Sequence, residues 1–470
     1  MNAPEHIPVT TLVEPQSAPV SLYAKRNKIH AHHVGGKHQN LRHVIIFAIL
    51  GGLVLGPWLK WEGRQALLLD LPARQFHIFG LDFWPQDLWM LGWLLMIAAF
   101  ALFTITNIVG RLWCGYLCPQ TLWTTVFMAI DRWVEGSSRK RKRLQEQSWD
   151  LTKLARRACT YLLYLTVAIV TSVTFVGYFT PIAELVHNLA NFNLAVLGGW
   201  TQFWLAFFVA STLFAAGWAR EQICIYMCPY ARFQGSMIDD DTLIVSYDAK
   251  RGDPRGSKKQ DAKLGDCVDC QLCVQVCPTG IDIREGLQYQ CIGCAHCIDA
   301  CDQVMQKIGR PDGLIRYTSL NALEGKALRW MRPRSIGYAT VCAMFCMAFL
   351  FAVTSRLTLD LDVLRDRSSL YQVDQNGHVR NDYQLKVMNK TSSPTSYTVA
   401  VTTPDWIKMD SVPRLELAAG ELSNVPLVLV AANPPDGISD VTVQLCSADR
   451  DQCTSETTRF IAPLIDNRES

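Results

Sequence analysis

The chain has 470 residues, of which 49% are hydrophobic, 14 are Trp and only 19% are charged. That balance argues against a wholly soluble protein and leaves room for two or three domains. The net charge of +3 decides nothing by its size; the placement of Lys and Arg carries the information, and no nucleic-acid partner is expected.

Residues 1–40 hold four prolines and little apolar periodicity. They read as a disordered cytoplasmic tail, without the apolar core of a cleavable signal peptide. His30, His32, His33, His38 and His43 crowd together here; a metal-binding tract and a solvated run of incidental histidines both fit. A membrane domain over 41–240 follows, with spans predicted at Arg42–Leu59, Asp87–Val109, Ala158–Phe179 and Leu194–Trp218. A fifth span, Ser335–Val353, is set within 334–356. Each approaches the length that crosses a bilayer core. Lys25, Arg26, Lys28, Lys37 and Arg42 precede or open the first span, the run Arg139–Arg143 separates the second from the third, and Pro181–Asn193 carries no Lys or Arg. Positive charge stays on the cytoplasmic side. The N-terminus, the basic loop and residues 241–333 are therefore expected in the cytoplasm and the C-terminal part on the other side. The stretch Thr121–Val134 is too short to span comfortably and reads as an interfacial or re-entrant helix.

Two hairpins of spans end alike. Cys114-Gly-Tyr-Leu-Cys118-Pro119 follows the second span, and Cys224-Ile-Tyr-Met-Cys228-Pro229 follows the fourth. Both are C-x-x-x-C-P, which looks like an internal duplication. Cysteines four apart share one face of a helical turn, and the proline limits how that helix continues. Two such pairs can face each other and present four thiolates at the cytoplasmic boundary. Soft thiolates suit Cu(I), zinc or an iron–sulfur centre, and a dithiol can pass electrons. Packing as small apolar residues is the structural alternative.

The densest signal is Cys267-x-x-Cys270-x-x-Cys273-x-x-x-Cys277-Pro278 followed by Cys291-x-x-Cys294-x-x-Cys297-x-x-x-Cys301. This spacing suits two cubane iron–sulfur clusters with crossed ligation. Cys267, Cys270, Cys273 and Cys301 are expected to hold one 4Fe–4S cluster, and Cys277, Cys291, Cys294 and Cys297 the other. Asp302 stands where a second proline is usual, which leaves every ligand in place and is expected to loosen that turn. In the fifth span Cys342, Met344, Cys346 and Met347 could pass copper, although packing explains them as well. Residues 357–470 alternate apolar and polar side chains, as at Val441, Val443 and Leu445, and read as a small periplasmic β-sandwich. Cys446 and Cys453 there could form a disulfide in an oxidising compartment or remain free thiols able to bind metal.

The whole order of features resembles the CcoG family, also called FixG or RdxA, accessory proteins of cytochrome c oxidase. The shared features are paired C-x-x-x-C-P hairpins, a two-cluster ferredoxin insert, a further span and an immunoglobulin-like β domain. The resemblance implies a multi-pass protein of the bacterial inner membrane that reduces Cu(II) to Cu(I) and supports assembly of cbb3-type oxidase alongside copper-handling proteins. It maps Cys114, Cys118, Cys224 and Cys228 onto the family's membrane motif, the candidate redox and copper site. No G-x-G-x-x-G follows a strand, so the electron donor is expected to be another protein or a quinol. A quinol-linked electron-transfer subunit without a copper role, and an assembly scaffold, are the competing readings.

Overall fold

In the computed structural model, the described residues are 29–256, 264–327, 329, 331–366, 369–375, 377–391, 393–410, 414–448 and 452–463. Five helices among them are long and apolar enough to cross a bilayer, Lys37–Trp58, Pro85–Val109, Leu151–Val176, Leu194–Ala219 and Pro333–Thr354. Their outer faces expose large apolar side chains such as Phe47, Leu95, Phe203 and Phe351.

In chain order, α1 (Lys37–Leu55) leads to α2 (Leu88–Val109), α3 (Leu112–Tyr116), α4 (Pro119–Val134), α5 (Ser138–Glu146) and α6 (Leu151–Val176). Then come α7 (Ile182–Ala190), α8 (Gly198–Thr212), a π-helical end at Leu213–Ala219 and α9 (Pro229–Met237). The stretch expected at an interface is α4. It packs on α6 and the π-helical end, with Phe127 fully buried and Trp133 exposed.

A charged network braces this packing. Asp131 pairs with Arg220 at 2.9 Å and lies 3.7 Å from Arg141, and the Tyr164 hydroxyl donates to Asp131. Glu135 pairs with Arg157 at 3.0 Å. These carboxylates are buried, so each charge is tolerable only because its partners are in place.

The cluster region inserts between α9 and the last span. It holds β6 (Ile244–Tyr247), α10 (Ala249–Gly252), α11 (Leu272–Gln275), α12 (His296–Lys307), β7 (Ile315–Thr318) and α13 (Leu320–Leu323). Strands β6 and β7 pair antiparallel, with Val245 opposite Tyr317. The last span is α14 (Pro333–Thr354), which packs along α2. Cys342 there donates weakly to the Ile97 carbonyl at 3.8 Å, and Met344 and Met347 point outward.

After α14, the C-terminal region is a two-sheet sandwich. One sheet runs β12 (Ile407–Met409), β14 (Leu422–Ala431), β10 (Val379–Asn389), β8 (Leu359–Arg365), with β9 (Gln372–Val373) also on β10. The other runs β13 (Arg414–Leu417), β11 (Thr395–Thr403), β15 (Ile438–Ser447), β16 (Cys453–Ile461). Val441, Val443 and Leu445 point inward and are fully buried beside Leu385 and Leu429, as the period-two pattern requires. Cys446 and Cys453 oppose each other in the β15–β16 register and are disulfide-bonded.

Two sequence expectations need correction. Residues 29–40, read as disordered tail, are ordered. The backbone N–H of His32 bonds the Gln275 carbonyl at 2.7 Å, and Val34 packs on Val276 and Ala300. Carboxylate oxygens of Asp299, on α12, accept from His38 N–H at 3.2 Å and Gln39 N–H at 2.8 Å. A side chain from a distant helix thus caps α1, where its own Gly36 supplies no cap. Residues 1–28 lie outside the described residues. The second correction is Asp302. It has the backbone N–H that proline lacks, so α12 continues past it to Lys307. Its carboxylate accepts the Gly313 N–H at 2.9 Å, which secures the turn it was expected to loosen.

The first connection also holds small sheets unseen in the sequence: β1 (Lys60–Trp61) with β2 (Arg64–Gln65), and β3 (Leu67–Asp70), β4 (Gln75–Ile78) and β5 (Leu81–Phe83). This layer meets the sandwich: Arg356 pairs with Asp87 at 2.5 Å, and Trp84 lies against Gly420.

The Asp131 network yields a stability prediction. Asp131→Ala leaves Arg220 buried without its carboxylate and should destabilise the bundle by about 3–5 kcal/mol. Thermal unfolding of the detergent-purified protein checks this, and an unchanged Tm contradicts it.

Candidate functional site

The eight ferredoxin-type cysteines gather around two cavities, each with about 360 Å³ of empty space. One is lined by Cys277, Cys291, Cys294 and Cys297, the other by Cys267, Cys270 and Cys301; Cys273 borders both. The two loops repeat one backbone device. Asp269 and Gln271 flank Cys270, Gly293 and Ala295 flank Cys294, and all four have left-handed φ between 52° and 66°. That conformation strains a residue with a Cβ, and here it winds each loop around its cavity. Burial pushes the thiols of Cys291 and Cys301 up to about 12 and that of Cys273 to about 11. Among the described residues, no three His, Cys, Asp or Glu side chains are placed to hold a single metal ion. Thiol rings around a roomy cavity fit a multi-atom iron–sulfur cubane better than a lone tetrahedral ion.

The four membrane-motif cysteines are also brought together. Cys114 lies within electrostatic reach of Cys118, Cys224 and Cys228, and burial raises both Cys114 and Cys224 to about 12. The Cys114 thiol donates to the buried Gln234 Oε1 on α9 at 3.3 Å. The motifs are not single helical turns, contrary to the spacing argument. In each, the second cysteine is extended and caps a new helix whose first residue is the proline: Cys118 before α4 and Cys228 before α9. Proline suits that first position because its missing N–H would have no partner there. The chain therefore turns at each second cysteine, and the matched turns support the reading of a duplication.

The second cluster loop sits directly on the first membrane motif. A Cβ at Gly115 would stand 2.6 Å from the Gly293 carbonyl oxygen, and one at Gly293 would stand 3.0 Å from the Arg111 carbonyl oxygen. Only glycine on both sides permits that approach. Arg111 locks the contact. Its Nη1 donates to the carbonyls of Tyr289 and Cys291, the latter at 2.8 Å, and its Nη2 to Ala231 on α9 at 3.1 Å. Tyr317 donates to the Gly293 carbonyl at 2.6 Å. On the far side of the loop, Arg42 reaches His296 Nε2 at 2.7 Å and Thr125 at 2.8 Å.

Sequence reasoning missed Arg111, Gly115, Gly293, Arg42 and Asp299. One signal was present: the residue before the second cysteine is Asp269 in one loop and Gly293 in the other, a difference that marks which loop meets another backbone. Gly115→Val should weaken the docking of the Cys291–Cys297 loop by about 1–3 kcal/mol. Faster amide hydrogen exchange in that loop, with the Cys267–Cys273 loop unaffected, is the expected result; equal protection in both would contradict the contact.

Three family models match the chain. A 4Fe-4S binding domain covers residues 89–141, a 4Fe-4S dicluster domain covers 219–320, and an IG-like fold at the C-terminal of FixG covers 349–463. The chain is 39% identical to the protein RdxB of Cereibacter sphaeroides over 409 residues, 83% of this chain and 85% of that one. It is 36% identical to the nitrogen fixation protein FixG of Rhizobium meliloti, covering 81% of this chain and 80% of that one. A crystal structure of a FixG-related protein from Vibrio parahaemolyticus matches 23% of this chain and all of its own, at 27% identity and a TM-score of 0.22. With both cysteine sets, the apolar helices and the β-sandwich in place, the chain belongs to the FixG family of membrane-associated 4Fe-4S electron-transfer proteins.

Proposed function

We propose that the protein is a cupric reductase of the inner membrane, converting Cu(II) to Cu(I) for copper delivery to, and assembly of, a cbb3-type cytochrome c oxidase. The observation that carries this reading is the Gly115–Gly293 contact, which puts the second cluster loop against the motif bearing Cys114 and Cys118. In this reading Cys267, Cys270, Cys273 and Cys301 hold one 4Fe–4S cluster, and Cys277, Cys291, Cys294 and Cys297 the other. Each quartet lines its own cavity, as crossed ligation requires. The clusters, when bound, supply electrons one at a time. Arg111 and Arg42 set positive charge beside the second loop, which offsets the negative charge of an added electron. Copper is the substrate. Copper would meet the soft sulfurs of Cys114, Cys118, Cys224 and Cys228, no three of which are set around a single ion in this arrangement, and sulfur favours the Cu(I) product over Cu(II).

The basic residues of α5 stand on the same side as the cluster region: Arg141 donates to Ala31, in the segment that packs on that region, at 3.0 Å. This favours the cytoplasm for that side. The bonded Cys446–Cys453 pair fits an oxidising compartment for the β-sandwich, which is then periplasmic.

The test is anaerobic. The cluster-loaded protein is reduced, freed of reductant and given stoichiometric Cu(II), with cluster EPR and a Cu(I) chelator read together. Loss of the reduced-cluster signal with matching Cu(I) is expected. Replacing Cys114, Cys118, Cys224 and Cys228 by Ser together should abolish Cu(I) formation while cluster absorbance stays unchanged. Undiminished copper reduction by that variant would overturn the site.

A further inference from the structure

One further cavity lies between the two cysteine sets, bordered by Cys224 of one and by the loops of the other. About 1020 Å³ of non-atom space lies within its outline, part of it open solvent at the mouth. Residues 29–43, the inner face of α4, Arg141 of α5, residues 220–224 and the cluster loops at Pro278 and His296 wall it. Cys224 closes its far end. Arg42 and His43 lie in the first turns of one span, and Arg220 and Glu221 directly follow another, so the cavity lies at the level where spans end.

The lining says what it holds. Most of the exposed wall is apolar, from Met128, Ala129, Val276 and Ile292 among others, enough for a planar ring. Arg42, Arg132, Arg141 and Arg220 border it against one carboxylate, Glu221. The His33 ring makes no hydrogen bond among the described residues, and burial, with Arg132 beside it, lowers its pKa to about 4. It therefore presents a neutral nitrogen able to accept. His43 Nε2 lies 2.8 Å from Gln39 Nε2, and Gln39 Oε1 lies 2.5 Å from Nε2 of His296, the neighbour of Cys297. The neutral acceptor at His33, an apolar wall and immediate contact with a cluster loop together fit a hydroquinone. The chain has no dinucleotide fingerprint to bind a soluble hydride donor.

We infer that this cavity binds a membrane quinol and is where electrons enter the protein. The inference rests on the electron-transfer reading above and names its donor. One quinol loses two electrons and two protons and leaves as quinone. Its two O–H bonds break, the protons leave through the open mouth to solvent, and the two electrons would go one to each of the two clusters when these are bound. Two Cu(II) ions then complete the balance as two Cu(I). His33 accepts from one hydroxyl; Met128 and Ala129 pack the ring.

The experiment uses full-length, cluster-loaded protein in detergent under anaerobic conditions. Ubiquinone-1 binding is measured by calorimetry, and cluster reduction by ubiquinol-1 is followed by loss of visible absorbance, with dithionite as a reductant that needs no site. The native protein should bind one ubiquinone-1 and be reduced by ubiquinol-1. Ala129→Trp fills the cavity and should weaken binding by about tenfold or more, abolishing reduction by ubiquinol-1 while dithionite reduces both clusters fully, which also shows that the variant is folded. His33→Leu should keep binding within a few-fold yet slow reduction on the order of 10²-fold. Reduction of Ala129→Trp by ubiquinol-1 at the native rate, or no quinone binding by the native protein, overturns the inference. The copper assignment is read separately. Dithionite-reduced native protein should convert Cu(II) to Cu(I), and failure of that step, with quinol reduction intact, removes the copper reading alone.

Discussion

The Gly293 carbonyl occupies the space that any side chain at position 115 would need. The packing of the first membrane motif on the second cluster loop depends on that approach. It makes the membrane thiols and the second cluster loop one unit, although they are separated by well over a hundred residues of chain. Arg111 reinforces it from within the membrane motif itself, spending its guanidinium on carbonyls of the cluster loop and of α9. A carbonyl-rich loop end is a natural seat for a cation, and the same charge lies close to where an electron would be stored.

Around this contact the rest of the chain acts as bracing. The segment before the first span crosses the cluster region, and its helix begins only because Asp299 supplies the acceptors that Gly36 lacks. The Asp131–Arg220 pair ties α4 to the end of the fourth span. Buried ion pairs are seldom a net source of stability, but once built they make any other packing expensive, because a slipped helix strands a charge. At the opposite end, Arg356 with Asp87 and Trp84 with Gly420 fasten the sandwich to the small sheets of the first connection. Both ends of the helical layer are thus pinned by contacts between distant parts of the chain.

The large cavity arises from this architecture. It exists because residues 29–43, α4 and the cluster loops converge without filling the space between them. The histidines that look incidental along the chain become the polar side of its wall, and Cys224 places the membrane thiols at its far end.

Much of this was legible residue by residue. Cysteine spacing announces two cluster loops because ligation is local: the residues between thiols must wrap a cube, and few spacings do. Spans are legible because length and apolarity suffice to cross a bilayer, and the β-sandwich is legible because a two-sided sheet imposes alternation. The tertiary structure alone decided the rest. An ordered segment at 29–40 was hidden because its cap and its core partners come from α12 and α11, not from its neighbours. The small sheets at 60–83 are too short for a periodic signal. The continuation of α12 past Asp302 depends on a backbone N–H and a distant acceptor site at Gly313. The four membrane thiols meet only because two turns, each at a cysteine before a proline, are folded face to face. Local covalent and periodic constraints are written in sequence; contacts between backbones far apart in the chain appear only once the chain has closed on itself.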